Sequence, residues 1–404
     1  MIHRWDVDAA RELDQQAIRV DTPNVFSLSV APQGDEAAVV AAAPAGQPGT
    51  VVRRYNLDTG AELTVKGKRP YRESKKDVRQ YWGAVYAPQA AGADRQILAL
   101  HGSRAELYDG AARLVTRTNP HGQVRAVGYS SDGKFMLTAG DDGTIKVWDA
   151  ASRKKVCQIV NPHGEMPASI QSAVFSPVKQ SYEILSAGRD NWARLWSWDG
   201  KAAEPTAAKK WKHDSIVRSA TFSHDGQRVV CACEDGTAWI WKADDDQQPI
   251  GKTPKWDPDK AAQGGHQGPV LTAAFSQTTA DWIVTGGEDS LAYVWSVGNQ
   301  LTLHSILKGH AAAVRCAAFS PDDRRIVTGS GDTFAKLWDP RLPNGGGAAA
   351  NANDRNAREL LNLSRHVRAV TSVAFSPGVG DTVLTASSDG DTVLWLSKPA
   401  PAGN

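Results

Sequence analysis

The sequence predicts an all-β repeat protein, and three observations carry that prediction. Six segments between His121 and Trp395 align in register. In each, a Trp follows an Asp by six residues: Asp142 and Trp148, Asp190 and Trp196, Asp235 and Trp241, Asp289 and Trp295, Asp332 and Trp338, Asp389 and Trp395. An interval that stays fixed while lengths elsewhere vary marks a tight turn followed by one strand. The chain of 404 residues also holds 14 Trp against 8 Phe and 8 Tyr, so a repeated structural position uses Trp.

Each segment reads as three strands and a variable fourth. The first strand ends at Tyr129-Ser130, Phe175-Ser176, Phe222-Ser223, Phe275-Ser276, Phe319-Ser320 or Phe375-Ser376. The second ends just before the Asp, and the third ends at the Trp. The fourth precedes the next His of the series His121, His163, His213, His266, His310 and His366. Asp142-Gly143, Asp235-Gly236 and Asp389-Gly390 are hairpin signals, because Gly reaches positive φ at little cost. Two further units are degenerate. Val25 to Pro32 and Val51 to Tyr55 form one, Tyr81 to Pro88 and Ala105 to Asp109 the other; both lack the His and the turn Asp. Together the anchors give eight units.

Composition bounds the function classes. A hydrophobic fraction of 41% against 22% charged residues lets the chain bury a core and excludes disorder. A net charge of +2 gives no bulk attraction to nucleic acid or anionic lipid. Four cysteines make no disulfide framework in a chain this long. Cys231 and Cys233 share one face of a strand and read as small buried hydrophobes; no second pair or spaced His makes them a zinc site. Met1 to Leu13 carries charge throughout and lacks a signal-peptide apolar run, and no stretch approaches a membrane span. A cytoplasmic setting and no cofactor are expected.

The Gly-His pairs Gly265-His266 and Gly309-His310, the Phe319-Ser320-Pro321-Asp322 turn, and Trp148-Asp149 and Trp338-Asp339 recur at a characteristic pitch. On these motifs the chain resembles the WD40-repeat family over nearly its whole length. The resemblance implies a β-propeller of four-stranded antiparallel blades around a central channel. The expected organisation is one domain over 1–404. Degenerate blades fall at about 21–65 and 78–118, and clear repeats at about 119–160, 161–212, 213–256, 264–307, 308–363 and 364–398. Eight blades are expected, with seven plus an accessory unit as the alternative. No room remains after Trp395 for a fourth strand, so Arg11 to Ile18 is expected to supply it and close the ring. Ile2 to Asp6 resembles the end of a further, truncated unit: an extra strand, or a sign that the chain is a piece of a longer repeat protein.

The resemblance also implies a buried network of His, a Ser or Thr, the turn Asp and the Trp, in which the carboxylate is tolerated because it is paired. His310, Ser330, Asp332 and Trp338 are the expected full set. Asp142 with Trp148, Asp190 with Trp196, Asp235 with Trp241, His266 with Asp289 and Trp295, and His366 with Asp389 and Trp395 repeat the pattern. Ala187 and Ala232 are taken to occupy the hydroxyl place, so several networks are expected to be incomplete. These sets are blade staples rather than six catalytic triads. No P-loop, GxSxG, HExxH or kinase motif is present, and the chain is expected not to be an enzyme.

Partner binding is expected on the face formed by the loop before the first strand and the loop carrying the turn Asp. The residue starting the first strand is Phe26, Trp82, Arg125, Gln171, Arg218, Leu271, Arg315 or Thr371. The residue before the Asp is Asp141, Arg189, Glu234, Glu288, Gly331 or Ser388. Phe26, Trp82, Arg125, Asp141, Arg189, Arg218, Glu234, Glu288 and Arg315 therefore define the candidate face, for a protein or peptide partner, since Arg and Trp are enriched at interface hot spots. The plain alternative is solvated rim charge, with Phe26 and Trp82 packing between blades. A basic loop on the same face holds Lys66, Lys68, Arg69, Arg72, Lys75, Lys76 and Arg79, with phosphate or nucleic acid as the remoter ligand. Insertions at Ala202–Lys209, Asp244–Gln263 and Leu342–Asn356 are expected on the opposite face. The leading expectation is a monomeric interaction scaffold; the alternative is the sensor propeller of a kinase- or protease-linked protein.

Overall fold

A computed structural model describes residues 4–6, 11–14, 25–30, 36–42, 50–56, 84–86, 96–101, 104–108, 114–118, 123–160, 168–178, 181–202, 204–298, 300–343, 355–375, 382–389 and 392–396. Those residues form β-strands, with one 3-10 turn at Pro258–Gln263. Every strand pairs antiparallel with its sequence neighbour, so each sheet is a meander. Eight sheets of three or four strands follow one another, beside a two-stranded sheet of Arg4–Asp6 and Arg11–Asp14.

The sheets are named in chain order by their inner strands: Val25–Val30, Ala84–Tyr86, Val124–Tyr129, Ile170–Phe175, Val217–Phe222, Val270–Phe275, Val314–Phe319 and Val370–Phe375. Each inner strand packs against the next, and the eighth sheet returns against Val25–Val30 of the first. The architecture is a β-propeller. No sheet buries its two faces alone, so the core is a series of layers between neighbours. Val230, Ile240, Val270, Tyr293 and Trp295 form the layer between the fifth and sixth sheets. Val284, Val294, Val314, Phe319 and Trp338 form that between the sixth and seventh.

The strands fall where the repeats place them. In the seventh sheet they are Val314–Phe319, Ile326–Ser330 and Ala335–Pro343, followed by Ala357–Leu363. The expected closing strand differs. Arg11–Asp14 pairs with Arg4–Asp6, and it is Arg4–Asp6 that also lies against Thr392–Leu396. The strand that looked like the end of a truncated unit thus stands beside the last strand of the eighth sheet.

One insertion departs from the expected placement. Asp244–Gln263 leaves from the Trp end, where the Trp211 indole donates to the Asp245 carbonyl at 2.9 Å. It then runs through the fourth strand, Gly251–Lys252, and emerges at the opposite end. There Lys255 Nζ lies 3.0 Å from the turn Asp235. Of Leu342–Asn356, Leu342 and Pro343 end the third strand of the seventh sheet and residues 344–354 lie outside the described residues. Asn356 bridges Ile306, and the Arg355 guanidinium donates to the Leu303 carbonyl at 2.8 Å, so these two residues lie against the outer edge of the sixth sheet, a site that would otherwise template strand pairing.

Candidate interaction surface

The turn Asp, its His and the Trp form the frame under the candidate face. In the seventh sheet, His310 Nδ1 lies 2.8 Å from Asp332 Oδ2, and His310 Nε2 lies 2.8 Å from Thr328 Oγ1. Trp338 Nε1–H donates to the same Thr328 oxygen at 2.8 Å. An indole N–H only donates, so Thr328 accepts it and spends its own proton on Nε2. That leaves the His310 proton on Nδ1, donated to Asp332, and every member is satisfied. His266, Thr285, Asp289 and Trp295 repeat the set, as do His366, Thr385, Asp389 and Trp395.

The hydroxyl is Thr328, not the expected Ser330. Trp338 pairs with Ile326, and Thr328 lies two residues on, on the same face of the strand, within reach of the indole. Ser330 instead donates to the Ala312 carbonyl and accepts the Asp332 N–H. The true hydroxyl lies ten residues before each Trp: Thr138, Ser186, Thr285, Thr328 and Thr385. Ala187 and Ala232 are therefore not the deciding positions; Ser186 and Cys231 are.

The remaining sets vary. His121 and His163 lie outside the described residues. Asp142 accepts from Thr144 and pairs with Lys146 at 3.2 Å, and Trp148 donates to Thr138. Asp190 pairs with Arg194 at 2.9 Å, while burial pushes its carboxyl up to about 6. In the fifth sheet Cys231 stands in the hydroxyl place, and Trp241 donates directly to His213 Nε2 at 3.3 Å. Asp235 turns to Thr237 and Lys255, and His213 Nδ1 is buried without a partner. Trp239 stacks on Trp241 at 5.8 Å and carries Lys252 Nζ 4.1 Å from its ring.

On this frame the two predicted rim positions come together. In seven inner strands the register shifts at the first nominated residue: Phe26, Arg125, Gln171, Arg218, Leu271, Arg315 and Thr371. A bulge re-aims the side chain out of the ladder, and its recurrence makes the position a ring of presented residues. The second position is tied to the same spot. The N–H groups of Asp141, Arg189, Glu234, Glu288, Gly331 and Ser388 donate to the carbonyls of Gln123, Ser169, Ile216, Pro269, Ala313 and Ala369.

The side chains then pair across this tie. Arg125 grips Asp141 with two bonds, 2.8 and 3.1 Å, and Arg218 meets Glu234 at 3.0 Å. Asp141 also accepts from Ser169 of the next sheet at 2.6 Å, and Gln171 donates to that Ser169 at 2.8 Å. Partial burial works to raise the Asp141 carboxyl, but the bonds from Arg125 and Ser169 and the charges of Arg125 and Arg189 hold it below the usual range. Arg189, Glu288 and Arg315 are exposed. Of Phe26 only the strand is described; Trp82 and the basic loop Lys66 to Arg79 lie outside the described residues. Sequence reasoning missed Ser169, which bridges two sheets, and Lys255 and Trp256, which the fourth strand of the fifth sheet carries to this end. Trp256 is an exposed large apolar residue. Among the described residues no group of His, Cys, Asp and Glu is arranged to hold a metal ion, and no helix is long and apolar enough to cross a membrane.

Fold and frame together define a WD40-type propeller. Residues 112–149, 208–242, 260–296 and 301–339 match the model of the WD domain, G-beta repeat. The guanine nucleotide-binding protein subunit beta of Oryza sativa subsp. japonica is 23% identical over 282 residues, 68% of this chain and 68% of its own. Ribosome biogenesis protein YTM1 of Pyricularia oryzae is 22% identical over 317 residues, 72% of this chain and 62% of its own. The serine-threonine kinase receptor-associated protein of Gallus gallus is 24% identical over 248 residues, 54% of this chain and 67% of its own. Among solved structures, the computationally designed Ika8 protein superimposes with a TM-score of 0.65 at 19% identity, covering 93% of this chain and 96% of that one. Four stretches of the chain are thus WD40 repeats, and the fold is that of a WD40-type propeller.

Proposed function

We propose that this chain is a non-enzymatic scaffold, an eight-bladed ring over 1–404, that binds a protein or peptide on the rim formed by the bulge residues and the residues before each turn Asp. The observation that supports the reading is the recurrence of the bulge: seven inner strands shift register at the same position, at the same end of the molecule. Arg125, Arg189, Arg218 and Arg315 supply hot-spot chemistry there. Two relatives, a guanine nucleotide-binding protein subunit beta and a serine-threonine kinase receptor-associated protein, are by name members of assemblies. A monomeric, cytoplasmic protein fits this reading.

The test is affinity capture on the wild-type chain, followed by the triple variant Trp82→Ala, Arg218→Ala, Arg315→Ala. Loss of the captured partner with an unchanged melting curve supports the reading. Undiminished capture by the folded variant removes this face from consideration.

A further inference from the structure

The rim arginines do not share one electrostatic situation. In the third sheet Arg125 is neutralised by Asp141, sixteen residues on, and in the fifth Arg218 by Glu234, again sixteen residues on. The position sixteen residues after Arg315 is Gly331. The backbone tie is the same, since the Gly331 N–H donates to the Ala313 carbonyl at 2.9 Å. The carboxylate is missing. A Cβ built at Gly331 would lie 3.7 Å from Arg315 Nε and 3.4 Å from the Ala312 Cβ, so a side chain there would extend beside the guanidinium without a clash.

Among the described residues no other acid takes the place. Asp332 is bound by His310 and by the N–H groups of Ala311 and Phe334. Asp389 is bound by His366 and the Val367 N–H. Glu359 is held by Lys336. Glu288, on the sixth sheet, is exposed, and among the described residues it forms no ion pair with Arg315. Asp381 and Asp391, the remaining acids in the loops of the eighth sheet, lie outside the described residues. The neighbouring rim adds a cation and an apolar contact: Arg368 is exposed, and Val367 is the most exposed large apolar side chain described, at 79%. Ser388 stands where other sheets carry an acid.

We infer that Arg315 is a docking point for a carboxylate supplied by the partner: an Asp or Glu side chain of a peptide segment laid across the rim of the seventh and eighth sheets, in the place that Asp141 and Glu234 fill within the chain itself. This rests on the rim being the binding face and names the chemistry of its partner. Arg315 supplies the guanidinium fork, Gly331 the space, and Arg368 with Val367 a second charge and an apolar contact beside it. An arginine and carboxylate meeting through a fork give specificity as well as attraction.

The experiment is selection of a random-peptide phage library on the immobilised wild-type chain, with binding of the enriched synthetic peptides measured by fluorescence anisotropy. Enriched peptides are expected to share an Asp or Glu. Their affinity is expected to fall roughly ten- to a hundredfold in Arg315→Gln, the range for loss of a charge-assisted bond. Gly331→Asp is expected to have the same effect by placing the acid in cis, and Gly331→Asn, the uncharged isostere, to have a clearly smaller one. Peptides that bind the rim without an acid, or that are indifferent to Arg315→Gln and Gly331→Asp, overturn the inference and leave the binding face standing. Peptides that compete with no rim substitution at all, Arg218→Ala and Arg125→Ala included, overturn the face itself.

Discussion

The fifth and seventh sheets use one blueprint and reach opposite electrostatic ends. In the seventh, His310, Thr328, Asp332 and Trp338 close a chain in which each proton has an acceptor. In the fifth, Cys231 replaces the hydroxyl, Trp241 leans on His213 directly, and the His213 Nδ1 is buried without a partner. The released Asp235 turns outward to Lys255. On the rim the order reverses: the fifth sheet pairs Arg218 with Glu234, while the seventh sets Arg315 beside Gly331. A fully stapled blade thus carries a rim arginine with no acid partner among the described residues, and the loosely stapled blade carries a neutralised one. The lesson is that interior fastening and surface chemistry vary independently in a repeat ring, because each blade contacts only its neighbours.

Substitutions that exploit the difference should rank accordingly. Thr328→Ala strands the Trp338 N–H and the His310 Nε2 in the interior, and it is expected to cost about 2–4 kcal/mol. Cys231→Ala breaks no hydrogen bond of the network and is expected to cost only about 1 kcal/mol. Urea unfolding of the two variants side by side checks the contrast; equal losses would mean the hydroxyl is not what fastens the seventh blade.

His213 should contribute a distinct pH dependence. Burial lowers its imidazole to about 4, so the fold holds it neutral where the unfolded chain binds a proton. A base with a depressed folded pKa contributes stability in full above its unfolded value. That stability is lost as pH falls through the window from about 6.5 down to about 4, and it amounts to about 3 kcal/mol. Asp190, whose carboxyl burial raises to about 6 from 3.8, acts with the opposite sign over most of that window and offsets a comparable amount, so only a comparison with a His213 variant separates the two. Comparing wild type with His213→Gln isolates the imidazole: the variant is expected to lose less stability on acidification, and parallel curves would refute the assignment.

Restoring the blueprint should gain a smaller amount. Cys231→Thr places a hydroxyl between Trp241 and His213 and is expected to stabilise by about 1 kcal/mol. Its check is the denaturation midpoint. Smallest is the turn itself. After the turn Asp the chain adopts positive φ, 85° at Gly236 and 78° at Thr333. A β-branched residue is strained there, and Thr333→Gly is expected to gain about 0.5–1 kcal/mol. The reverse move in the fifth sheet, Gly236→Ala, would set a Cβ 2.7 Å from the His266 carbonyl and is expected to lower the melting temperature.

The sequence made the strands legible because their boundaries are written in side chains: the Phe-Ser end of the first strand, the Asp turn and the Trp. It misled on the hydroxyl because Ser330 lies closer in sequence to Asp332, whereas contact with the indole is decided by strand register, which places Thr328 on the Trp face. The interval of ten residues from Thr or Ser to Trp was available and would have found it. The rim positions were legible as a recurring place in the repeat. Their pairing was not, since whether Arg218 meets Glu234 depends on the bulge and on a backbone bond that leave no mark in residue type. The placement of Asp244–Gln263 was hidden for a similar reason: its fourth strand is only Gly251–Lys252, too short to show a period.

The central claim is that the partner lies on the end of the ring where the bulges turn their side chains out. Hydrogen–deuterium exchange of the chain, free and bound to its captured partner, tests it most directly. Slowed exchange is expected in the peptides carrying Arg125 with Asp141, Arg218 with Glu234, and above all Arg315 with Gly331 and Arg368. Slowed exchange confined to the opposite turns, around Ser130 to Gly133, Ser223 to Gly226 and Ser320 to Asp323, would contradict it.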